Sequence, residues 1–326
     1  MRSGRRALIV TLVLIISLTS VFAAVGCKKE TVVGKTLRVA FSAAPDAIDV
    51  VGYKMMEILR GEGVAVDIMF LDGGQKAVMA ILANQVDIAA AAIDGVVLAQ
   101  MTAFALSRPR NLYAMVGSKD MTKVEDIVGR VMGAPDPGSV ATSFEDAVFA
   151  KYGIAPESYS RLQIGGAGAR TQALLAGRVD AVFVYGGKHV TLKKAGYPTL
   201  TTVNTEFPGM HDDMWSSTKT WLENNELLAV AICRAQIQAA IWFHEKPDEW
   251  LAMALELVEI EEADARELYA LLLEMDMYPV DGLMTLETLG TTADFFAATE
   301  TIPDVPIEQW ATVKYMDQAR EELGIK

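Results

Sequence analysis

Ala80-Ile81-Leu82-Ala83-Asn84-Gln85-Val86-Asp87-Ile88 is answered 93 residues later by Ala173-Leu174-Leu175-Ala176-Gly177-Arg178-Val179-Asp180-Ala181. Each copy reads as a helix end that turns into a strand. A glycine pair precedes each, Gly73-Gly74 and Gly165-Gly166, and each half opens on a similar phrase, Val33-Gly34-Lys35 and Val128-Gly129-Arg130. Two copies exclude a solenoid, which needs three or more repeats. They predict two α/β lobes of the same kind facing each other, and clefts between lobes are common seats for small molecules.

Outward from the repeat, strand and helix alternate, which argues for mainly parallel sheets. Residues 37–41, 64–71, 87–92 and 112–116 read as strands of a first lobe, with helices over 46–62, 76–83 and 94–105. A second lobe follows with strands at 130–134, 162–164, 181–184 and 200–203 and helices at 139–152, 170–176 and 188–195. From 218 to 323 helical periodicity dominates, and these helices are expected to cover the first lobe. Lobe 1 is thus expected to be discontinuous, 36–117 plus 205–326, with lobe 2 at 118–204. The chain crosses between them near 118 and near 204, and two crossings make a hinge.

The N-terminus reads as an export signal over residues 1–26. Arg2, Arg5 and Arg6 precede an apolar run, and Ala24-Val25-Gly26-Cys27 places small residues before a cysteine. That ending resembles a bacterial lipobox, although Ala24 stands where leucine is usual and Val25 where alanine or serine is usual. It predicts a chain acylated on Cys27, tethered through 27–35 and held at a membrane from the outside. An uncleaved helical anchor is the alternative. No later segment looks long and apolar enough to span a bilayer. Cys233 is the only other cysteine, so no internal disulfide can form, and its apolar helical setting predicts a core position.

The chain has 29 basic and 42 acidic residues, a net charge of −13; without the three arginines of the leader the balance is 26 against 42, or −16. Such a chain does not bind nucleic acid through bulk charge. No nucleophile turn, phosphate loop or paired-cysteine zinc site is present, and His189, His211 and His244 form no metal-ligand pair. No catalytic residue, cofactor or metal is therefore expected.

The order of these features resembles the type II periplasmic solute-binding proteins: export signal, strand-loop-helix opening, Gly-Gly before Ala80 to Ile88, Gly133-Ala134-Pro135-Asp136-Pro137-Gly138-Ser139, then Leu174 to Ala181. Within these it looks most like the nitrate, sulfonate, taurine and thiamine-precursor branch, the NMT1 or SsuA-like family. The resemblance implies two lobes on a two-strand hinge, a monomer that closes on one ligand, and an ABC permease and ATPase as partners. Related readings are a sulfonate, taurine or nitrate receptor, a TAXI-type receptor of a TRAP transporter, and, from another class, an enzyme resembling the fungal pyrimidine synthases.

In an open parallel sheet, ligands sit beyond the carboxyl ends of the strands. Those ends supply Ser42, Ala43 and Asp46; Gly74 and Gln75; Ile93 and Asp94; Pro137, Gly138, Ser139 and Thr142; Gly166; and Tyr185 with Gly186. The family's contacts fall on the groups around 42–46, 92–94, 135–142 and 185–187. In the last of these it often has Trp-Glu-Pro, whereas this chain has Val184-Tyr185-Gly186-Gly187. Ser139 reads as a helix cap whose N–H groups could also hold a polar oxygen. Asp46 and Asp94 either cap helices or accept from a ligand's N–H groups, the latter favouring a pyrimidine or flavin over nitrate or sulfonate. Trp215 is a further aromatic candidate.

Overall fold

The repeated Val-Asp phrase has one structural job in both copies. The Asp87 carboxylate accepts the backbone N–H of Arg38 at 2.7 Å, and that of Asp180 accepts the backbone N–H of Val131 at 2.8 Å. Positions 38 and 131 are themselves 93 apart, so each aspartate pins the equivalent strand of its own lobe. The computed structural model describes residues 31–71, 73–137 and 139–325. The expected leader, Cys27 and Gly138 lie outside the described residues.

Among the described residues, ten strands form two sheets: β1 (Thr36–Phe41), β2 (Ala65–Phe70), β3 (Ile88–Ala92), β4 (Thr102–Leu106), β5 (Ala114–Gly117), β6 (Val131–Ala134), β7 (Ser160–Gln163), β8 (Ala181–Val184), β9 (Thr199–Thr202) and β10 (Asp213–Ser217). The sheets run β2-β1-β3-β10-β4 and β7-β6-β8-β5-β9, the same order twice. β1 pairs parallel with β2 and β3, and β6 with β7 and β8; β10 and β5 run antiparallel to both their neighbours. Each sheet is therefore mixed rather than simply parallel. Its one reversed strand is the piece of chain that has just arrived from the other lobe.

This exchange corrects the expected boundaries. The strand expected at 112–116 is β5, which pairs with β8 and β9 and so belongs to lobe 2. The first crossing is 107–113 and the second 207–212. The helix expected over 94–105 stops early: Gln100 takes a left-handed φ of 55° and β4 begins at Thr102. β4 is buried on both faces, so its run of apolar residues carries no alternation to separate it from a helix. β10, Asp-Met-Trp-Ser-Ser, looks polar yet is wholly buried, because Ser216 and Ser217 donate to the carbonyls of Ala89 and Asp87 in β3.

The helices are α1 (Val50–Gly61), α2 (Gly74–Leu82), α3 (Ile93–Leu98), α4 (Val140–Lys151), α5 (Ala167–Leu175), α6 (Gly186–Lys194), α7 (Val203–Glu206), α8 (Lys219–Asn224), α9 (Glu226–Glu245), α10 (Pro247–Leu257), α11 (Glu262–Glu274), α12 (Leu286–Ala298) and α13 (Lys314–Leu323). α9 corrects one expectation: at 20 residues and a mean hydropathy of 1.3 it is long and apolar enough to cross a membrane. It is two-thirds buried against α1, α13 and β4 as a core helix.

The C-terminal helices cover lobe 1 as expected, but they also reach lobe 2 on both flanks. Lys194 of α6 pairs with Asp264 of α11, and Lys193 with Glu267 at 3.5 Å. On the other flank Phe144 of α4 lies 5.5 and 5.6 Å from the rings of Phe295 and Phe296, and Ser143 bonds Thr301 at 2.7 Å. The two lobes thus meet in a closed arrangement.

Asp87 also holds the Arg38 guanidinium and is 12% exposed, whereas Asp180 is 36% exposed and lies 3.9 Å from Arg130. Asp87→Ala is expected to cost about 2 kcal/mol in urea unfolding and Asp180→Ala about 1 kcal/mol. Equal costs would contradict this account of the repeat.

Candidate functional site

Five helices begin at the line where the lobes face each other: α2 and α3 from lobe 1, α4, α5 and α6 from lobe 2. Their starts follow strands β2, β3, β6, β7 and β8 directly or through short loops, as in other open α/β sheets. Gly73, at φ 106°, makes the turn into α2, and Gly165, at φ 82°, the turn toward α5; a side chain is strained at both. Between these ends lies a cavity of about 530 Å³.

Of the expected ligand-binding residues, Ser42, Ala43, Gly74, Gln75, Asp94, Pro137, Ser139, Gly166 and Tyr185 line this cavity. The other described ones are elsewhere. Asp46 accepts the N–H of Ile48 at 3.1 Å, capping the 3₁₀ turn Ala47–Asp49, and lines a separate groove beside α6 and α10. Ile93 is fully buried. Thr142 donates to the carbonyl of Asp136 at 2.7 Å and backs the Ser139 cap. Gly186 sits where the lobes touch: a Cβ there would come within 3.0 Å of Ile48. Trp215 is fully buried in lobe 1, edge-on to Phe41 at 5.2 Å and donating to Gln236.

The chemistry of the wall comes mainly from residues that sequence reasoning did not single out. Arg108, in the first crossing, donates twice to Asp49 at 2.9 Å, and its Nη1 lies 3.3 Å from Asp213 and 3.6 Å from Asp212 in the second crossing. Ser42 donates to Asp213 at 3.1 Å. All four charged side chains are under a tenth exposed. Burial works against the charge on Arg108, but the three aspartates overcome it and hold its pKa well above the ordinary value. The carboxylates share one cation, so burial and then Asp213 push Asp212 up to about 7 despite Arg108. Burial raises Asp49 and Asp94 as well. Opposite, Arg170 lines the lobe 2 wall. Tyr113 and Tyr185 close one end with ring centroids 5.1 Å apart.

The histidines stand apart from the cavity. His211 is buried in the second crossing, its Nδ1 donating to Pro109 at 2.7 Å, and burial pulls its pKa down to about 4. His189 bonds Thr199 and is likewise lowered to about 4 by burial. Among the described residues no cluster of three or more His, Cys, Asp and Glu side chains could hold a metal ion.

The sequence model of the NMT1/THI5-like family matches residues 59–250, more than half of the chain. The chain belongs to this family. No curated protein sequence matches it. Among solved structures, the alkanesulfonate-binding protein SsuA from Xanthomonas axonopodis pv. citri, bound to MOPS, superposes with a TM-score of 0.69 at 16% identity, over 86% of this chain and 99% of that one. The periplasmic aliphatic sulphonate binding protein SsuA from Escherichia coli gives 0.70 at 15% identity, over 87% and 99%. The desulfurization enzyme DSZB gives 0.68 at 11% identity, over 89% and 99%. At these identities the likeness is one of fold, and this NMT1/THI5-like chain has the two-lobed fold of periplasmic binding proteins.

Asp212 ionises at its ordinary 3.8 when unfolded and near 7 when folded. The folded chain keeps a proton that the unfolded chain releases, so this contribution to stability is whole below about pH 4 and is lost as pH rises to about 7. Thermal melting is expected to fall between those limits, and Asp212→Asn to flatten part of the fall. Glu145, raised to about 7 by burial, supplies more of the same sign. An unchanged pH profile in Asp212→Asn would refute the assignment.

Proposed function

We propose that this chain is the extracytoplasmic receptor of an ABC importer, tethered through Cys27, that captures a small polar ligand between its lobes and delivers it to a permease. The observation that carries the reading is the 530 Å³ cavity at the junction, reached by helix starts from both lobes and hinged only on residues 107–113 and 207–212. Closure requires no chemistry, only a ligand that binds the closed arrangement better than the open one. The leader and lipobox-like sequence, together with the family and the fold, support the location and the partners.

A nitrogen heterocycle of the pyrimidine or flavin kind suits this wall best. Asp94 and Asp213 can accept from ring or amino N–H groups, and the Tyr113–Tyr185 pair offers a face for stacking. Sulfonate or nitrate is the second reading, favoured by the SsuA neighbours and by the helix starts at Ser139 and Gly166. Buried aspartates oppose it. A binding protein rather than an enzyme fits a cavity that no histidine or cysteine lines among the described residues; Cys233 is buried in α9.

Thermal unfolding of the full chain in mild detergent, against pyrimidines, riboflavin, alkanesulfonates, taurine and nitrate, tests the reading. A ligand at 100 times its dissociation constant adds about 2.7 kcal/mol of stability. A shift with a heterocycle alone is expected; a shift with sulfonate or nitrate alone replaces the first reading by the second, and no shift with any of them counts against both.

Gly186 tests the closure. It holds a φ of 53° with its Cα against Ile48, whereas a Cβ on Gly187 meets nothing within 4 Å. Gly186→Ala sets a Cβ 3.0 Å from Ile48 across the lobe contact, and about tenfold weaker binding is expected by titration calorimetry. Gly187→Ala should leave affinity unchanged.

A further inference from the structure

Each wall of the cavity holds a buried charge with no ion pair among the described residues, Asp94 on lobe 1, where Lys76 also lines the cavity, and Arg170 on lobe 2, where Asp136 does. On lobe 1, Asp94 is 9% exposed and makes no ion pair among the described residues; its neighbours Asp49, Asp212 and Asp213 already share the single guanidinium of Arg108. On lobe 2, Arg170 is 3% exposed. Its Nε donates to the carbonyl of Phe183 at 2.9 Å and its Nη1 to that of Gly165. Carbonyls satisfy hydrogen bonds without cancelling a charge, and Nη2 has no hydrogen-bond partner among the described residues. Burial pulls the pKa of Arg170 down, and the more distant Glu145 and Asp136 offset this only in part. Asp136 is exposed to solvent and occupied by Gln163 at 3.2 Å. The starts of α4 and α5, flanking Arg170, add positive dipole ends to the same wall.

We propose that the ligand of this cavity is dipolar: its cationic end lies on Asp94 and the Asp212–Asp213 pair, and its anionic end lies on Arg170 and the helix starts at Ser139 and Gly166. The proposal rests on the receptor reading above and narrows it. A ligand with one charge leaves the other wall buried and unpaired on closure, which is costly. A dipolar ligand compensates both walls only when the lobes face each other, so the same contacts that select it also hold the closed state.

Matched probes separate these cases on the wild-type full chain. Titration calorimetry near neutral pH compares 4-(aminomethyl)benzoate, a zwitterion, with benzylamine and benzoate, its cationic and anionic halves, and with the neutral 4-amino-5-hydroxymethyl-2-methylpyrimidine. The zwitterion is expected to bind at least about tenfold tighter than either half. Asp94→Asn should bring it toward benzoate, and Arg170→Met toward benzylamine, with Arg170→Lys keeping part of the preference. Since Arg170 also ties down two carbonyls, circular dichroism checks that the Met variant folds, and the wild-type ranking decides if it does not. Either half binding as tightly as the zwitterion overturns the inference. So does binding of the neutral pyrimidine alone, which leaves the receptor reading standing; binding of none of the four, together with no shift in the ligand panel above, overturns both.

Discussion

Arg108 holds the molecule's two crossings together. Its guanidinium gathers Asp49 from lobe 1, Asp212 from the second crossing and Asp213 at the start of β10, while the backbone N–H groups of Ser107 and Arg108 both donate to the Asp213 carbonyl at 3.0 Å and Asp212 N–H donates back to Arg108 at 3.1 Å. The neutral His211 ring adds a bond to Pro109. The crossings are thus a bonded pair rather than two loose linkers, and the hinge axis and the floor of the cavity are the same atoms. Removing one partner from such a cluster would strand a buried charge, the costliest way to break an ion pair.

That constraint shapes the rest. Each crossing strand is accepted as the reversed fourth strand of the opposite sheet, β5 between β8 and β9 and β10 between β3 and β4, so neither lobe completes its sheet without chain that has passed through the hinge. The hinge leaves from β4 and β9 at one edge of the sheets, and β2 and β7 mark the opposite edge. On the flanks, the Phe144 contact with α12 and the lysine pairs between α6 and α11 form the closed seams.

The cavity sets two electrostatic effects against each other. Helix starts converge on it and favour negative charge, yet lobe 1 already fills its share with its own aspartates. What remains for a ligand is an excess of carboxylate on one side and an unmatched guanidinium on the other. Such mismatches are a source of selectivity, since a ligand that leaves a buried charge unpaired is rejected.

The sequence by itself determined the two lobes, because the phrase ending in Asp87 and Asp180 encodes a local unit, helix to turn to strand, whose aspartate bonds a nearby strand start in each copy. It also pointed to Ser42, Asp94, Ser139 and Tyr185, since residues after buried strands fall at the carboxyl edge of a sheet whatever the partner strands are. The tertiary structure alone decided which sheet receives β5 and β10, because that choice depends on pairing between residues about a hundred positions apart. It also decided that Asp46 caps a turn, that Trp215 is core, and that Arg108, Arg170, Asp212 and Asp213 line the cavity. In sequence a lone arginine or an Asp-Asp pair reads as solvated surface; only the folded hinge buries them against one another, where their charges dominate.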